Sequence, residues 1–180
     1  MLEQTLSYLG LQFAKLQFRS DVDTIQPMTE FLTGARNVLI TLPTGYDNSI
    51  LAGAAIRSYR ERLSHLHITI VHNSTRSTPL SEFPRSEVVR IDPHDINRFS
   101  LPRRQLLKRI MTRPYDVAVD LNLDFVLHTA YICKVSRARV RVGFAHSAAD
   151  LFYNVQLNLN ASRSPQALYE KFAECLAMFG

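Results

Sequence analysis

Short apolar runs rich in β-branched residues recur along this chain, and stretches with helical spacing stand between them. That alternation leaves few folds open. Val38-Leu39-Ile40-Thr41-Leu42 is too short for a helix and reads as a buried strand. Residues 66–72, 87–91, 115–121 and 139–144 repeat the pattern, and residues 152–159 alternate in the manner of a strand. Parallel neighbours need crossover helices, so the reading is an α/β fold, a single Rossmann-like doubly wound and mainly parallel sheet with an added N-terminal helix. A length of 180 residues fits one domain of about 100–200. The boundaries read as a helical extension over 1–36 and the Rossmann-like domain over 37–180.

Leu2, Leu6, Leu9, Phe13 and Leu16 are spaced by four, three, four and three, which places them on one stripe of an amphipathic helix ending near Arg19. The stripe is expected to dock on the domain or on a second copy. Pro27 opens a short helix over 28–33, which Gly34 ends. After the first strand, Asn48 or Ser49 caps a helix with Ile50, Leu51, Ala54, Ala55 and Tyr59 on its buried face. Ser100 caps another that runs through Met111, with Leu101, Gln105, Leu106 and Ile110 inward. Further helices are expected over 124–135 and from Ser164-Pro165 to Met178, the last burying Leu168, Phe172, Cys175, Leu176 and Phe179.

The net charge is +5 and the pI about 9.5, a balance that favours anionic partners. Basic residues gather at Arg57, Arg60 and Arg62, at Arg103, Arg104, Lys108, Arg109 and Arg113, and at Lys134, Arg137, Arg139 and Arg141. Each group reads as a solvated face or an anion-binding patch. No aromatic residues interleave to stack bases, which counts against nucleic acid. No apolar run approaches the roughly 18 residues of a membrane span. Cys133 and Cys175 are the only cysteines and residues 1–20 carry no signal-peptide pattern, so a reduced, cytoplasmic setting without a disulfide is expected.

In a doubly wound sheet, ligands bind beyond the carboxyl ends of the strands where strand order reverses. Two segments fall there. The first turn offers Thr44, Gly45, Asp47, Asn48 and Ser49, with helix N–H groups that suit an anion and a glycine that lets a ligand approach the backbone. The end of the fourth strand offers Asp120 and Asn122. Asp47 reads either as a general base for a hydroxyl or as a carboxylate favoured at a helix start. Asp120 reads either as a site carboxylate or as an acceptor for backbone N–H groups of the next loop. No Walker A or three-glycine fingerprint is present, so no cofactor is expected. His65 and His67 lack companions for a metal, and none is expected. His72 and His146 stand at strand ends, facing the same edge or solvent. No serine sits in a nucleophile elbow and neither cysteine has a neighbouring base.

At these residues the chain resembles the N-terminal domain of family 9 glycosyltransferases, the heptosyltransferases of lipopolysaccharide core biosynthesis. The stretch from Asn37 to Ala52, with Leu42, Gly45 and Asp47 at its turn, resembles the family's first strand, Leu-x-x-x-Gly-Asp turn and small-residue helix. Here Tyr46 stands between the glycine and the aspartate. Tyr115-Asp-Val-Ala-Val-Asp-Leu-Asn122, a helix, and Ala138-Arg-Val-Arg-Val-Gly-Phe144 are similar to its "YDxxIDLQ … A…RIGF" segment. The resemblance covers about residues 37–150. It implies that Asp47 deprotonates an acceptor hydroxyl in an inverting, metal-independent displacement, with an anionic glycolipid acceptor and work at the inner membrane surface. Family members carry a second Rossmann domain for the sugar nucleotide, and the reaction occurs between the domains. Positioning can account for roughly 7–11 kcal/mol of a barrier, so one half alone is expected to be inactive. The alternative is a non-catalytic interaction or scaffold module of that descent, acting through the helix at 1–19 as a protein-partner or homo-oligomer surface. A third reading is a small nucleotide-binding regulator using the helix start after Ser49.

Overall fold

The apolar run at 38–42 supplies the central strand, β1 (Asn37–Thr41), of a six-stranded sheet. In this computed structural model, residues 2–21, 23, 34–58, 60–73, 85–158 and 164–178 are described. β1 pairs in parallel with β2 (His67–His72) on one side and β4 (Val117–Asp120) on the other. Beyond these lie β3 (Ser86–Arg90), β5 (Val140–Phe144) and β6 (Val155–Leu157), giving the order β3-β2-β1-β4-β5-β6 with every pairing parallel. The expected Rossmann-like sheet is borne out. Strand order reverses between β1 and β4, so these two strands and their following loops frame the crevice.

Alternate residues of the central strands feed two cores, as a sheet covered on both faces requires. Val38, Ile40, Ile68, Ile70, Val117 and Val119 share one core with α2 (Tyr46–Arg57) and α6 (Pro165–Met178). Leu39, Val71 and Ala118 share the other with α1 (Leu2–Phe18), α4 (Arg104–Ile110) and α5 (Leu127–Val135). A short α3 (Arg60–Leu63) follows α2. Asp116 ties the sheet's entry edge: its carboxylate accepts from the N–H groups of Arg36 at 2.7 Å and Asn37 at 2.9 Å. Among the described residues, no helix is long and apolar enough to cross a membrane.

Several helices differ from expectation in which face they bury. α1 docks through Gly10, Ala14 and Phe18, while Leu9, Phe13 and Leu16 of the expected stripe lie exposed. Small residues let the backbone approach closely: a Cβ on Gly10 would lie 2.0 Å from the Phe99 carbonyl oxygen. α2 starts at Tyr46 with Gly45 as its cap, so Asn48 and Ser49 lie inside the first turns rather than capping them. Its buried residues are Ser49, Ala52, Gly53, Ala55 and Ile56, whereas Ile50 and Ala54 face outward. α4 begins at Arg104 rather than after Ser100, because Pro102 bridges Ile96 and Asn97 Oδ1 accepts from the N–H groups of Phe99 and Leu101. Gln105 is exposed, not inward. α5 begins at Leu127, leaving 121–126 as a loop. The expected helix at 28–33, the loop over 74–84, Tyr59, Phe179 and the side chains of Cys175 and Leu176 lie outside the described residues.

Candidate functional site

A chain of contacts runs from the edge of the sheet to the crevice. Gly143 of β5 lies under the Tyr153 ring, where a Cβ would come within 2.5 Å of it. The bare backbone seats that ring, and the Tyr153 hydroxyl donates to Asp120 Oδ2 at 2.7 Å. Asp120 Oδ1 accepts from the Asn122 backbone N–H at 3.0 Å and from its side-chain amide at 2.7 Å. Asn122 Oδ1 in turn accepts the N–H of Thr44 at 2.9 Å, and the amide also reaches Thr129 Oγ1 at 3.3 Å. Asp120 and Asn122 are buried. Their polar atoms thus join the loop after β4 to the turn after β1. Such a buried network holds geometry only while every member is satisfied.

Asp120 and Asn122, set back from solvent, therefore meet the exposed Thr44 as one latch. Asp47 stands apart from that latch, exposed in the first turn of α2, and Asn48 is half-buried beside it. Tyr46 and Ile50 flank Asp47 and are exposed, an apolar surface next to a carboxylate at the helix start. Gly45 has an ordinary extended backbone, φ −79° and ψ 133°, and a Cβ there would meet nothing within 4 Å. The fold does not demand glycine at that position. Ser49 is buried within α2.

Three groups here escaped the sequence reading. Asn73, just past β2, brings its side-chain nitrogen to 3.4 Å from Nε2 of His128 on the first turn of α5. Burial pushes the His128 pKa below its ordinary value, outweighing the upward pull of Asp120. The signal available was positional, since Thr44, Asn73 and Asn122 each follow the end of a neighbouring parallel strand. Tyr153 gave no such signal, because only packing on Gly143 aims it at Asp120. The His72 ring is buried at the end of β2, its pKa lowered by burial and then by Arg90. The His146 ring is exposed and stacks on Phe125 with centroids 5.1 Å apart.

The third basic cluster divides: Arg137 and Arg139 are exposed, whereas Lys134 and Arg141 are not part of a solvated face. Lys134 and Arg141 are buried, and they line a cavity of about 380 Å³ with Ser20, Asp21, Asp23 and Arg137. Arg141 reaches Asp23 Oδ2 at 2.5 Å and donates to the carbonyls of Phe152 and Ala138, while Lys134 lies 3.7 Å from Asp23 and 3.9 Å from Asp21. These charges lie at the entry edge of β5, away from the crevice, and secure the segment after α1. In α4's cluster, Arg109 pairs with Asp95. Cys133 is free and fully buried, its thiol pushed well up by that burial.

No family model matches the sequence, and no curated protein matches it. Solved structures do share the fold. The Escherichia coli heptosyltransferase WaaC, solved with ADP, aligns with a TM-score of 0.57 at 16% identity over 78% of this chain and 46% of its own. A family 9 glycosyl transferase from Veillonella parvula aligns with a TM-score of 0.58 at 16% identity over 81% of this chain and 41% of its own. The chain thus spans less than half the length of either protein. It shares its fold with part of each of these two proteins, a likeness that the residues around Asp47, Asp120 and Gly143 led one to expect.

Proposed function

We propose that this chain is the acceptor-side domain of a heptosyltransferase-type glycosyltransferase, with the sugar nucleotide held by a second domain across the crevice. The observation that carries this reading is the placement of Asp47: an exposed carboxylate at the start of α2, beside the β1–β4 reversal, in a fold shared with two such enzymes. The acceptor is an anionic glycolipid, matched to the positive net charge of the chain. In the transfer, the acceptor oxygen bonds to the anomeric carbon from the face opposite the diphosphate. The bond from that carbon to the diphosphate breaks, and its electron pair departs with the leaving group. Asp47 takes the acceptor proton, a role worth typically 10²–10⁴-fold in rate. Tyr46 and Ile50 offer the acceptor sugar an apolar face. Asn122 and Asp120 act through Thr44, fixing the turn on which Asp47 rides.

The domain is inactive until the donor half closes the crevice and excludes water. Reconstitution with a donor domain and an Asp47→Asn variant tests the base. Transfer is expected to fall by about 10²–10⁴-fold with folding unchanged; undiminished turnover overturns the assignment. A second reading, a non-catalytic interaction module, draws support from the apolar stripe that α1 leaves exposed. Loss of an assembly on altering that stripe, with no acceptor bound at the crevice, would favour it.

A further inference from the structure

We propose that the cavity at the entry edge of β5, away from the crevice, is a binding site for a small phosphorylated polyol. It measures about 380 Å³, within the range of small-ligand pockets, and lies between the end of α5 and the segment after α1. Arg141 builds its wall, with donors already engaged. Nε donates to the Phe152 carbonyl at 2.9 Å, one terminal nitrogen to the Ala138 carbonyl at 2.8 Å, and the other to Asp23 Oδ2 at 2.5 Å. Lys134, in the last turn of α5, differs. Its side chain is only 5% exposed, yet its Nζ lies 3.7 Å from Asp23 and 3.9 Å from Asp21, too far to donate a hydrogen bond to either. The Phe18 ring, 5.9 Å away, offers its face but no acceptor. An ammonium has three donors, and a cation withdrawn from water needs them met as well as its charge balanced. Arg137 stands on the rim, exposed, and its guanidinium makes no hydrogen bond or ion pair among the described residues.

The charges around the cavity name the class of ligand. Lys134, Arg137 and Arg141 face Asp21 and Asp23, which leaves an excess of positive charge and favours an anion. A tetrahedral oxyanion carries acceptors enough for both a lysine ammonium and an arginine fork, where a carboxylate would divide its two oxygens between them. Asp21 and Asp23 count against a bare phosphate, since like charges repel. Their open acceptors suit hydroxyl groups instead. The Asp21 carboxylate is 53% exposed and accepts no hydrogen bond from a described residue, and Asp23 Oδ1 meets only Lys134. Unanswered donors and open acceptors in one cavity thus select a phosphate carried on a hydroxyl-bearing molecule over the inorganic ion. The site is independent of Asp47 and of any transfer at the crevice.

An amide nitrogen–hydrogen NMR titration of the full chain with glycerol 3-phosphate, inorganic phosphate and glycerol locates the site. Glycerol 3-phosphate is expected to shift Asp21, Asp23, Lys134 and Arg137 together. Inorganic phosphate should bind several-fold more weakly, and glycerol should leave these signals unmoved. Arg137 supplies the cleanest variant. Its φ is 54°, a conformation that suits glycine, so Arg137→Gly removes the guanidinium with the thermal midpoint kept or raised. That variant and Lys134→Met should each weaken glycerol 3-phosphate roughly tenfold or more, as expected for the loss of a charge-assisted hydrogen bond. Asp21→Asn should narrow the gap between the ester and the inorganic ion. The proposal is overturned if glycerol 3-phosphate leaves the four signals in place at tens of millimolar, or moves only Thr44 to Ser49. It is equally overturned if inorganic phosphate binds the unaltered chain as well as the ester does, if Arg137→Gly binds unchanged, or if Asp21→Asn leaves the gap as it was.

Discussion

Tyr153, Asp120, Asn122 and Thr44 behave as one unit, since each polar atom between Gly143 and the first turn depends on the next. Tyr153→Phe and Asn122→Ala are each expected to cost about 1.5–3 kcal/mol, by stranding buried acceptors and donors. Combined, they should cost less than their sum, and denaturant unfolding of the double-mutant cycle measures the difference. Full additivity would mean the two contacts are independent. Titration leaves a second signature. Burial lowers the pKa of His72 and His128, so the unfolded chain binds more protons and stability is lost as pH falls below about 6.5. Tyr115, Tyr153 and Tyr169 are raised by burial, so stability is also lost as pH climbs above about 10. Thermal midpoints across pH 5 to 11 should show a plateau between those limits, and His128→Gln should flatten the acid side. The site was legible at this scale only where residue type and strand end coincided. Asp47, Thr44 and Asn122 follow strands whose apolar runs are plain in the sequence. His128 and Tyr153 sit on elements whose faces only packing decides.

The strands were readable because continuous apolar runs admit no other structure, and their limits shifted by only a few residues. Helix faces were harder, because hydrophobic spacing marks an apolar stripe without saying which surface covers it. In α1 Leu9, Phe13 and Leu16 stay outside, and Gly10 and Ala14 join Phe18 in the docking, where their small size counts more than their hydrophobicity. Gly10→Val tests this directly. Its Cβ would lie 2.0 Å from the Phe99 carbonyl oxygen, and overpacking of this kind costs typically 1–3 kcal/mol. The expected result is rapid proteolytic trimming within α1, with a lowered thermal midpoint. Unchanged protection would mean that α1 docks elsewhere. In α2 the small Ala52 and Gly53 join the expected Ala55 on the buried face, while the larger Ile50 faces outward.

Across the described residues every strand pairing is parallel and the sheet carries a core on each face, so the C-terminal edge is backed on both sides, with Thr44 and Asp47 open to solvent and Asp120 and Asn122 buried behind them. The buried Lys134 and Arg141, paired with the exposed Asp23, brace the opposite edge, and α1 adds an outward surface unconnected with the crevice. On the proposed function, this division is that of half a transferase cleft, with one edge turned to an acceptor and a donor domain. The most direct measurement is an amide nitrogen–hydrogen NMR titration of the full chain, first with sugar phosphates and carboxylated sugars, then with ADP-, UDP- and GDP-sugars. The account predicts that the anionic sugars shift Thr44 to Ser49 together with Asn122 and His128, and that the nucleotide sugars leave these signals in place. Shifts produced by nucleotide sugars alone, or no shift from any anionic sugar at this edge, would contradict the assignment of this crevice to the acceptor.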